Sequence, residues 1–165
     1  MNKIIVIFTI LLSILASSAY AEQFEYIRPK DGDSFTVRLR GLEIDLRLIS
    51  VDCPEYDQEY GQDARAFTDR WLRQGPAEIE YDNRTQDRYG RVLGYVWRKG
   101  EMLNLELARR GYCVAVLYTR TQKHFKEIRA AEQLAKKEKL GIWENGGLRM
   151  SPSTFRQKKR RNRNK

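Results

Sequence analysis

From Phe35 to Leu48 the chain alternates with a period of two. Phe35, Val37 and Leu39 are separated by Thr36 and Arg38, and beyond Arg40 and Gly41 the residues Ile44, Leu46 and Leu48 alternate with Asp45 and Arg47. This pattern buries one face of a strand, leaves the other polar, and does not fit the 3.6-residue repeat of a helix. The two runs read as a hairpin, with Arg38, Arg40 and Arg47 off the core face. "FEYIRP" leads into "DGDS" just before it, and Asp-Gly is a turn signal. Further strands are expected near 77–82 ("AEIEYD"), near 91–97 ("RVLGYVW") and, as a short piece, from Cys113 to Leu117.

Three segments carry helical spacing. Gly61 to Arg73 places Ala64, Phe67, Trp71 and Leu72 on one face, and Met102 to Arg110 is followed by Gly111, in the position glycine favours after a helix. "KHFKEIRAAEQLAKKEKLGIW" puts Phe125, Ile128, Ala131, Leu134 and Ala135 on a stripe that Gly141 is expected to end. These stripes read as core.

The ends differ in character. Lys3, an apolar run from Ile4 to Leu15 and small residues at Ala19 and Ala21 have the layout of a cleaved export signal over residues 1–21. The run is too short for the ~20 residues that span a bilayer. Residues 22–145 then form one domain of a size that supports one core. Residues 146–165 hold seven Lys or Arg in the last ten positions and are expected to be a disordered basic tail that adds phosphate contacts. Lys3 is the only charge before Glu22, so 30 basic residues face 22 acidic ones in the exported part, a net +8. A domain this basic suits a polyanion, either nucleic acid or a membrane surface, although solubility alone also accounts for it.

The inventory narrows the chemistry. His124 is the only histidine and has no evident nucleophile partner, and no G-x-x-x-x-G-K-[ST] phosphate loop is present. Cys53 and Cys113 are the only cysteines, too few with one His for a four-ligand zinc site. An even count in an exported chain favours a disulfide. What remains are carboxylates and arginines at the turns. Asp31 and Asp33 flank Gly32 at a strand start, while Asp52 and Glu55 flank Pro54 at a strand exit. If these strands are antiparallel neighbours, Asp33 and Asp52 converge. Two carboxylates with a backbone carbonyl and waters suit a hard cation, Ca²⁺ above a soft metal. The EF-hand pattern fails, because Phe35 stands at the third ligand position. Arg47 precedes Asp52 on its strand and Arg91 ends "DRYGR". Guanidinium offers forked donors and a permanent charge to a phosphate.

Six blocks, "DGDSFTVRLRG", "RLISVDCPE", "YGQDARAFT", "DRYGRVLGYVW", "LNLELARRGYCVAVLY" and "AAEQLAKKEKLGIW", follow in the order and spacing of the thermonucleases. From about Phe24 to Glu144 the chain resembles the staphylococcal nuclease-like family. The resemblance implies an α+β, mainly β fold, a five-stranded OB-type barrel with three α-helices. It implies a Ca²⁺-dependent endo- and exonuclease, one ion per domain, acting on DNA and RNA to give 3′-phosphorylated products, and a monomer. Asp33, Asp52 and the Cys53 carbonyl then correspond to metal ligands, with Asp31 beside them. Glu55 corresponds to the general base, Arg47 and Arg91 to the phosphate-neutralising pair, and Arg88 with Tyr89 to a region near the substrate phosphate. The family also includes modules that bind nucleic acid without cleaving it, but here the site residues are all present. Two departures stand out. A longer, lysine-rich loop after the base is replaced by "YDQEY", carrying Asp57 and Glu59, and Cys53 replaces a threonine. Cys113 falls on the short strand expected beside Cys53, so a Cys53–Cys113 bridge would pin the metal turn.

Overall fold

The computed structural model describes residues 21–118 and 122–163. The export signal expected over residues 1–21 lies outside them, except for Ala21, the first residue of β1. In chain order the elements are β1 (Ala21–Pro29), β2 (Ser34–Leu39), β3 (Leu42–Leu48), β4 (Val51–Asp52), α1 (Gly61–Leu72), β5 (Ala77–Glu80), β6 (Val92–Arg98), β7 (Glu101–Met102), α2 (Leu103–Arg109), β8 (Val114–Ala115), α3 (Phe125–Lys137), a 3₁₀ turn (Gly141–Trp143) and α4 (Pro152–Arg163).

Five strands, in the order β3-β2-β1-β5-β6, close into a barrel through a parallel pairing of β3 with β6, in which Leu46 faces Val92. β1 is long enough to serve two neighbours. Residues Ala21–Phe24 pair with β5, and Glu25–Pro29 pair with β2 across a bulge between Tyr26 and Arg28. A bulge bends and twists a strand, which lets β1 turn the barrel's corner. β1 is thus the fifth barrel strand. The short strand expected at 113–117 is only β8, which pairs with β4 outside the barrel.

The barrel interior is filled by the predicted alternate residues, with Phe35, Val37, Leu46, Leu48, Ile79 and Val96 all buried. Alternation of exposure fails at the site end of the hairpin. Thr36 and Arg47, on the polar face, are also buried, Thr36 with its hydroxyl bonded to Asp45 at 3.2 Å and Arg47 within the candidate site. Arg47 therefore does not lie on an open polar surface, as its period-2 position suggests.

α1 covers one end of the barrel, tied to β1 by the Tyr26 hydroxyl, which donates to Asp69 at 2.6 Å. α2 and α3 pack on each other through Leu103, Leu107, Ile128 and Ala135. Leu134, expected on the buried stripe, is 55% exposed. α3 also stops before Gly141. Lys139 takes the left-handed position after it at φ 55°, and Leu140 N–H returns to the Ala135 carbonyl at 2.9 Å, closing a Schellman motif. Cys53 and Cys113 form a disulfide that joins the end of β4 to the start of β8.

The tail departs most from expectation. A fourth helix, α4, replaces the expected disorder over residues 152–163. Ser151 caps it by accepting from Thr154 N–H at 3.2 Å, and Pro152 fills the first helical position. Two of its six cations, Arg156 and Lys159, pair with Asp52, Glu55 and Asp57 of the loop at 52–59, which offsets part of their mutual repulsion.

Candidate active site

The "DGDS" turn places the first carboxylates. Asp31 N–H and Lys30 N–H both donate to the Ser34 carbonyl, and Asp33 N–H donates to the Asp31 carboxylate at 3.1 Å. Gly32 is required between them, since a Cβ there would lie 2.7 Å from Ala64 Cβ and 2.9 Å from Cys53 Cβ. The Asp33 carbonyl accepts from Leu48 N–H at 2.8 Å, and Ser34 pairs with Arg47 in the β2–β3 ladder. The start of β2 therefore lies beside the end of β3. Ser50, buried and left-handed at φ 64°, then turns the chain so that β4 delivers Asp52 to the same point.

Arg47 is the hub. Its Nη2 lies 3.1 Å from Asp33 Oδ2 and 3.0 Å from Asp52 Oδ1, and its Nη1 donates to the Val51 carbonyl at 2.9 Å and to the Leu48 carbonyl. Two buried carboxylates reaching one nitrogen must themselves be close neighbours, so Asp33 and Asp52 converge as expected. Cys53 N–H donates to Asp33 Oδ2 at 2.6 Å, which brings the Cys53 backbone against the same carboxylate. Burial pushes the Asp33 carboxyl well above its ordinary range, and the Arg47 guanidinium opposes this. Among the described residues no three His, Cys, Asp or Glu side chains are grouped to hold an ion. A cation here would take its remaining ligands from backbone and solvent.

Asp31, Asp33, Arg47, Glu55, Arg88, Tyr89 and Arg91 all line one cavity of about 830 Å³. Asp52 and Cys53 lie behind its wall, Asp52 being covered by guanidiniums. Glu55 is set by a close approach of the chain to itself. A Cβ at Gly61 would fall 1.8 Å from the Glu55 carbonyl oxygen, so only glycine allows α1 to start there. Gln58 Oε1 accepts from Glu55 N–H at 3.3 Å.

Several residues of the site were not singled out by the sequence. Asp87, the first residue of "DRYGR", accepts from Tyr89 N–H at 2.8 Å and Arg91 N–H at 3.0 Å, and its other oxygen takes Arg91 Nε at 2.8 Å. It orients Arg91, whose Nη1 also reaches Ser34 Oγ at 3.3 Å. Burial works to raise the Asp87 carboxyl, but the Arg91 side chain and the backbone N–H groups of Arg91 and Tyr89 together outweigh it and hold the group below the usual range. Arg88 lies over the Tyr89 ring at 4.8 Å and donates to its hydroxyl at 2.7 Å, both at the exposed mouth. Tyr118 Oη lies 3.4 Å from Arg47 Nη2. Arg156 of α4 donates to both Asp52 oxygens at 3.0 Å and to Glu55 Oε1 at 2.9 Å.

Comparison with known proteins shows the family. Residues 45–145 match the family described as staphylococcal nuclease homologue. The chain is 39% identical over 135 residues to a thermonuclease of Staphylococcus hyicus, covering 78% of this chain and 80% of that one. It is 37% identical over 129 residues to a thermonuclease of Staphylococcus intermedius, covering 74% and 77% respectively. It is also 34% identical over 128 residues to the endonuclease YncB of Bacillus subtilis, covering 73% of this chain and 61% of that one. With barrel, site and sequence in agreement, the chain belongs to the staphylococcal nuclease homologue family.

Proposed function

We propose that this protein is a Ca²⁺-dependent nuclease that hydrolyses phosphodiester bonds of DNA and RNA and leaves 3′-phosphorylated products. The observation that carries the reading is the meeting of two guanidiniums, Arg47 and Arg91, with the carboxylates Asp33 and Glu55 around one cavity. Relatives named thermonuclease and endonuclease support it.

Asp33, Asp52 and the Cys53 carbonyl are the groups that would hold the ion, with Asp31 beside them. All are hard oxygen donors, and burial makes the Asp33 charge costly without a cation nearby. Bound there, Ca²⁺ supplies positive charge to a nonbridging phosphate oxygen. The rest falls to side chains. Arg47 and Arg91 donate to the phosphate oxygens, whose charge grows as the fifth bond to phosphorus forms. Glu55 takes a proton from the attacking water. The bond from phosphorus to the 5′ oxygen breaks, and that oxygen leaves with a proton from solvent, so the phosphate stays on the 3′ side. Arg88 and Tyr89 contact the strand at the cavity mouth.

Residues 1–21 act as an export signal and 22–145 as the nuclease domain of a monomer secreted to the periplasm or medium. The Cys53–Cys113 bridge supports an oxidising compartment. Among the described residues no helix is long and apolar enough to cross a membrane.

Digestion of plasmid, linear DNA and RNA with Ca²⁺, Mg²⁺ or EDTA tests the function. Cleavage with Ca²⁺, none with EDTA, and 3′-phosphate ends are expected. No cleavage with any metal would leave a module that binds nucleic acid without cutting it.

A further inference from the structure

The loop at 52–59 and the segment at 149–159 are matched along their length. Arg156 takes Asp52 and Glu55, and Lys159 Nζ lies 2.7 Å from Asp57 Oδ2. Gln58 Nε2 donates to the Met150 carbonyl at 2.6 Å, and Arg149 N–H donates to Glu59 Oε1 at 2.6 Å. Asp57 and Glu59, which have no part in the hydrolytic chemistry, thus serve to seat the strap. The named contacts of the seam are polar, and within α4 only Pro152 is buried, with Phe155 half-buried beside it.

The position of Arg156 matters more than the number of contacts. Its guanidinium engages both oxygens of Asp52 in a fork and a third oxygen on Glu55. These are the lone pairs that a cation on Asp52 and a water activated by Glu55 would need. Arg47 and Arg156 together fill Asp52 Oδ1, and a dication on what remains would sit directly against the guanidinium charge of Arg156. Charge-assisted forked bonds are the strong ones of their kind, yet ionic seams at a protein surface hold weakly and are screened by salt. Tethering keeps the local concentration of the helix high, so docking persists with only Pro152 and part of Phe155 as apolar contact, while remaining displaceable.

We propose that α4 is an autoinhibitory strap, in which Arg156 occupies the cation site in place of the ion, so that strap docking and divalent cation binding exclude each other. This rests on the assignment of Asp52 as a cation ligand. Cation binding then carries the cost of strap release, and its apparent affinity falls by the fraction of molecules that are open. When the ion arrives, α4 leaves with its cations.

Isothermal titration with Ca²⁺ tests this on the intact protein, Arg156→Ala, Lys159→Glu and Arg160→Ala. Lys159→Glu breaks the seam without touching the cavity, and Arg160 is exposed on the same helix, so Arg160→Ala controls for the loss of one charge. Arg156→Ala and Lys159→Glu are expected to bind Ca²⁺ about tenfold more tightly than the wild type, the scale of a docked fraction near nine in ten. Arg160→Ala is expected to match the wild type. Tryptic cleavage after Lys158 to Arg163, followed by mass spectrometry, should accelerate when Ca²⁺ is added to the wild type. Equal affinities for wild type and seam variants, or a tail equally protected with and without Ca²⁺, would overturn the strap alone. Weaker binding by Arg156→Ala would make Arg156 a supporter of the site and overturn it too. Absence of Ca²⁺ binding by every form would remove the cation site itself, and the strap with it.

Discussion

Glu55 stands where the acidic pocket opens to solvent, with its side chain 24% exposed and its backbone held by Gln58. Glu55→Gln keeps the shape and removes the proton acceptor, so kcat should fall by roughly 10²- to 10⁴-fold with the fold unchanged. Steady-state rates on linear DNA check this, and wild-type turnover would remove Glu55 from the base role. Asp87 makes a different case, since it touches no reacting atom and acts through Arg91. Asp87→Ala should loosen the guanidinium and lower turnover by about 10²-fold, the usual result of misplacing a catalytic group by an ångström. An Asp87→Ala enzyme with an unchanged rate would show that Ser34 alone positions Arg91. Asp33 and Arg47 were legible in the sequence because they stand at ends of strands that an antiparallel hairpin brings together, while Asp52 and Arg91 arrive there by the turn at Ser50 and the parallel β3–β6 pairing. Asp87 was not, because an Asp opening a tight turn already has a local reason to be there. Arg156 was hidden by distance, 104 residues from the Asp52 it grips.

The elements divide by whether their signal is local. α1 and α2 follow their periodicity closely, and the β2–β3 hairpin does so on its core face, because burial of one face is the force that forms them. β8 is only two residues long because it is held by β4 and the disulfide rather than by its own apolar pattern. α4 had a readable start in Ser151 and Pro152, but the sum of its cations masked it. Two of those cations, Arg156 and Lys159, find their partners in a loop nearly a hundred residues earlier. The end of α3 shows the opposite error, a glycine credited with a job that its neighbour does. Lys139 carries the left-handed conformation at φ 55° with a Cβ, while the Schellman bonds around it are intact. Lys139→Gly should therefore stabilise the protein by about 1 kcal/mol, the cost of placing a side chain in that region. Urea unfolding should show a higher midpoint at unchanged slope, and a lower midpoint would mean that the lysine side chain contributes elsewhere.

At the scale of the whole molecule, long-range closures hold the chain together. The Cys53–Cys113 bridge spans 60 residues, from the turn after β4 to β8. Loop-closure entropy assigns it about 4 kcal/mol, so reduction should lower the urea midpoint sharply and loosen the turn that carries Asp52. An unaltered midpoint under reductant would show that the barrel holds the turn unaided. Two tyrosines make further closures. Tyr26 joins β1 to α1 through Asp69, and Tyr81, just after β5, donates to Glu22 of β1 at 2.9 Å. Burial and then the carboxylate partner raise both phenols, Tyr81 to about 12. The fold thus holds these protons more tightly than the unfolded chain, whose tyrosines titrate near 10. Their contribution is complete below about pH 10 and declines as pH rises above it, that of Tyr81 being lost through about 12 and that of Tyr26 higher still, since only the unfolded state gives up its protons readily there. The acid edge has the opposite sign. At Asp69 the bonds from Arg73 and Tyr26 outweigh burial and lower the carboxyl, so its contribution is lost as pH falls below about 4. Urea midpoints should form a plateau between these edges and decline from pH 10 upward. Tyr81→Phe should make that decline shallower, because it removes one of the titrating groups from both states. An alkaline slope as steep in Tyr81→Phe as in the wild type would assign the loss to other groups and leave Tyr81 a packing residue.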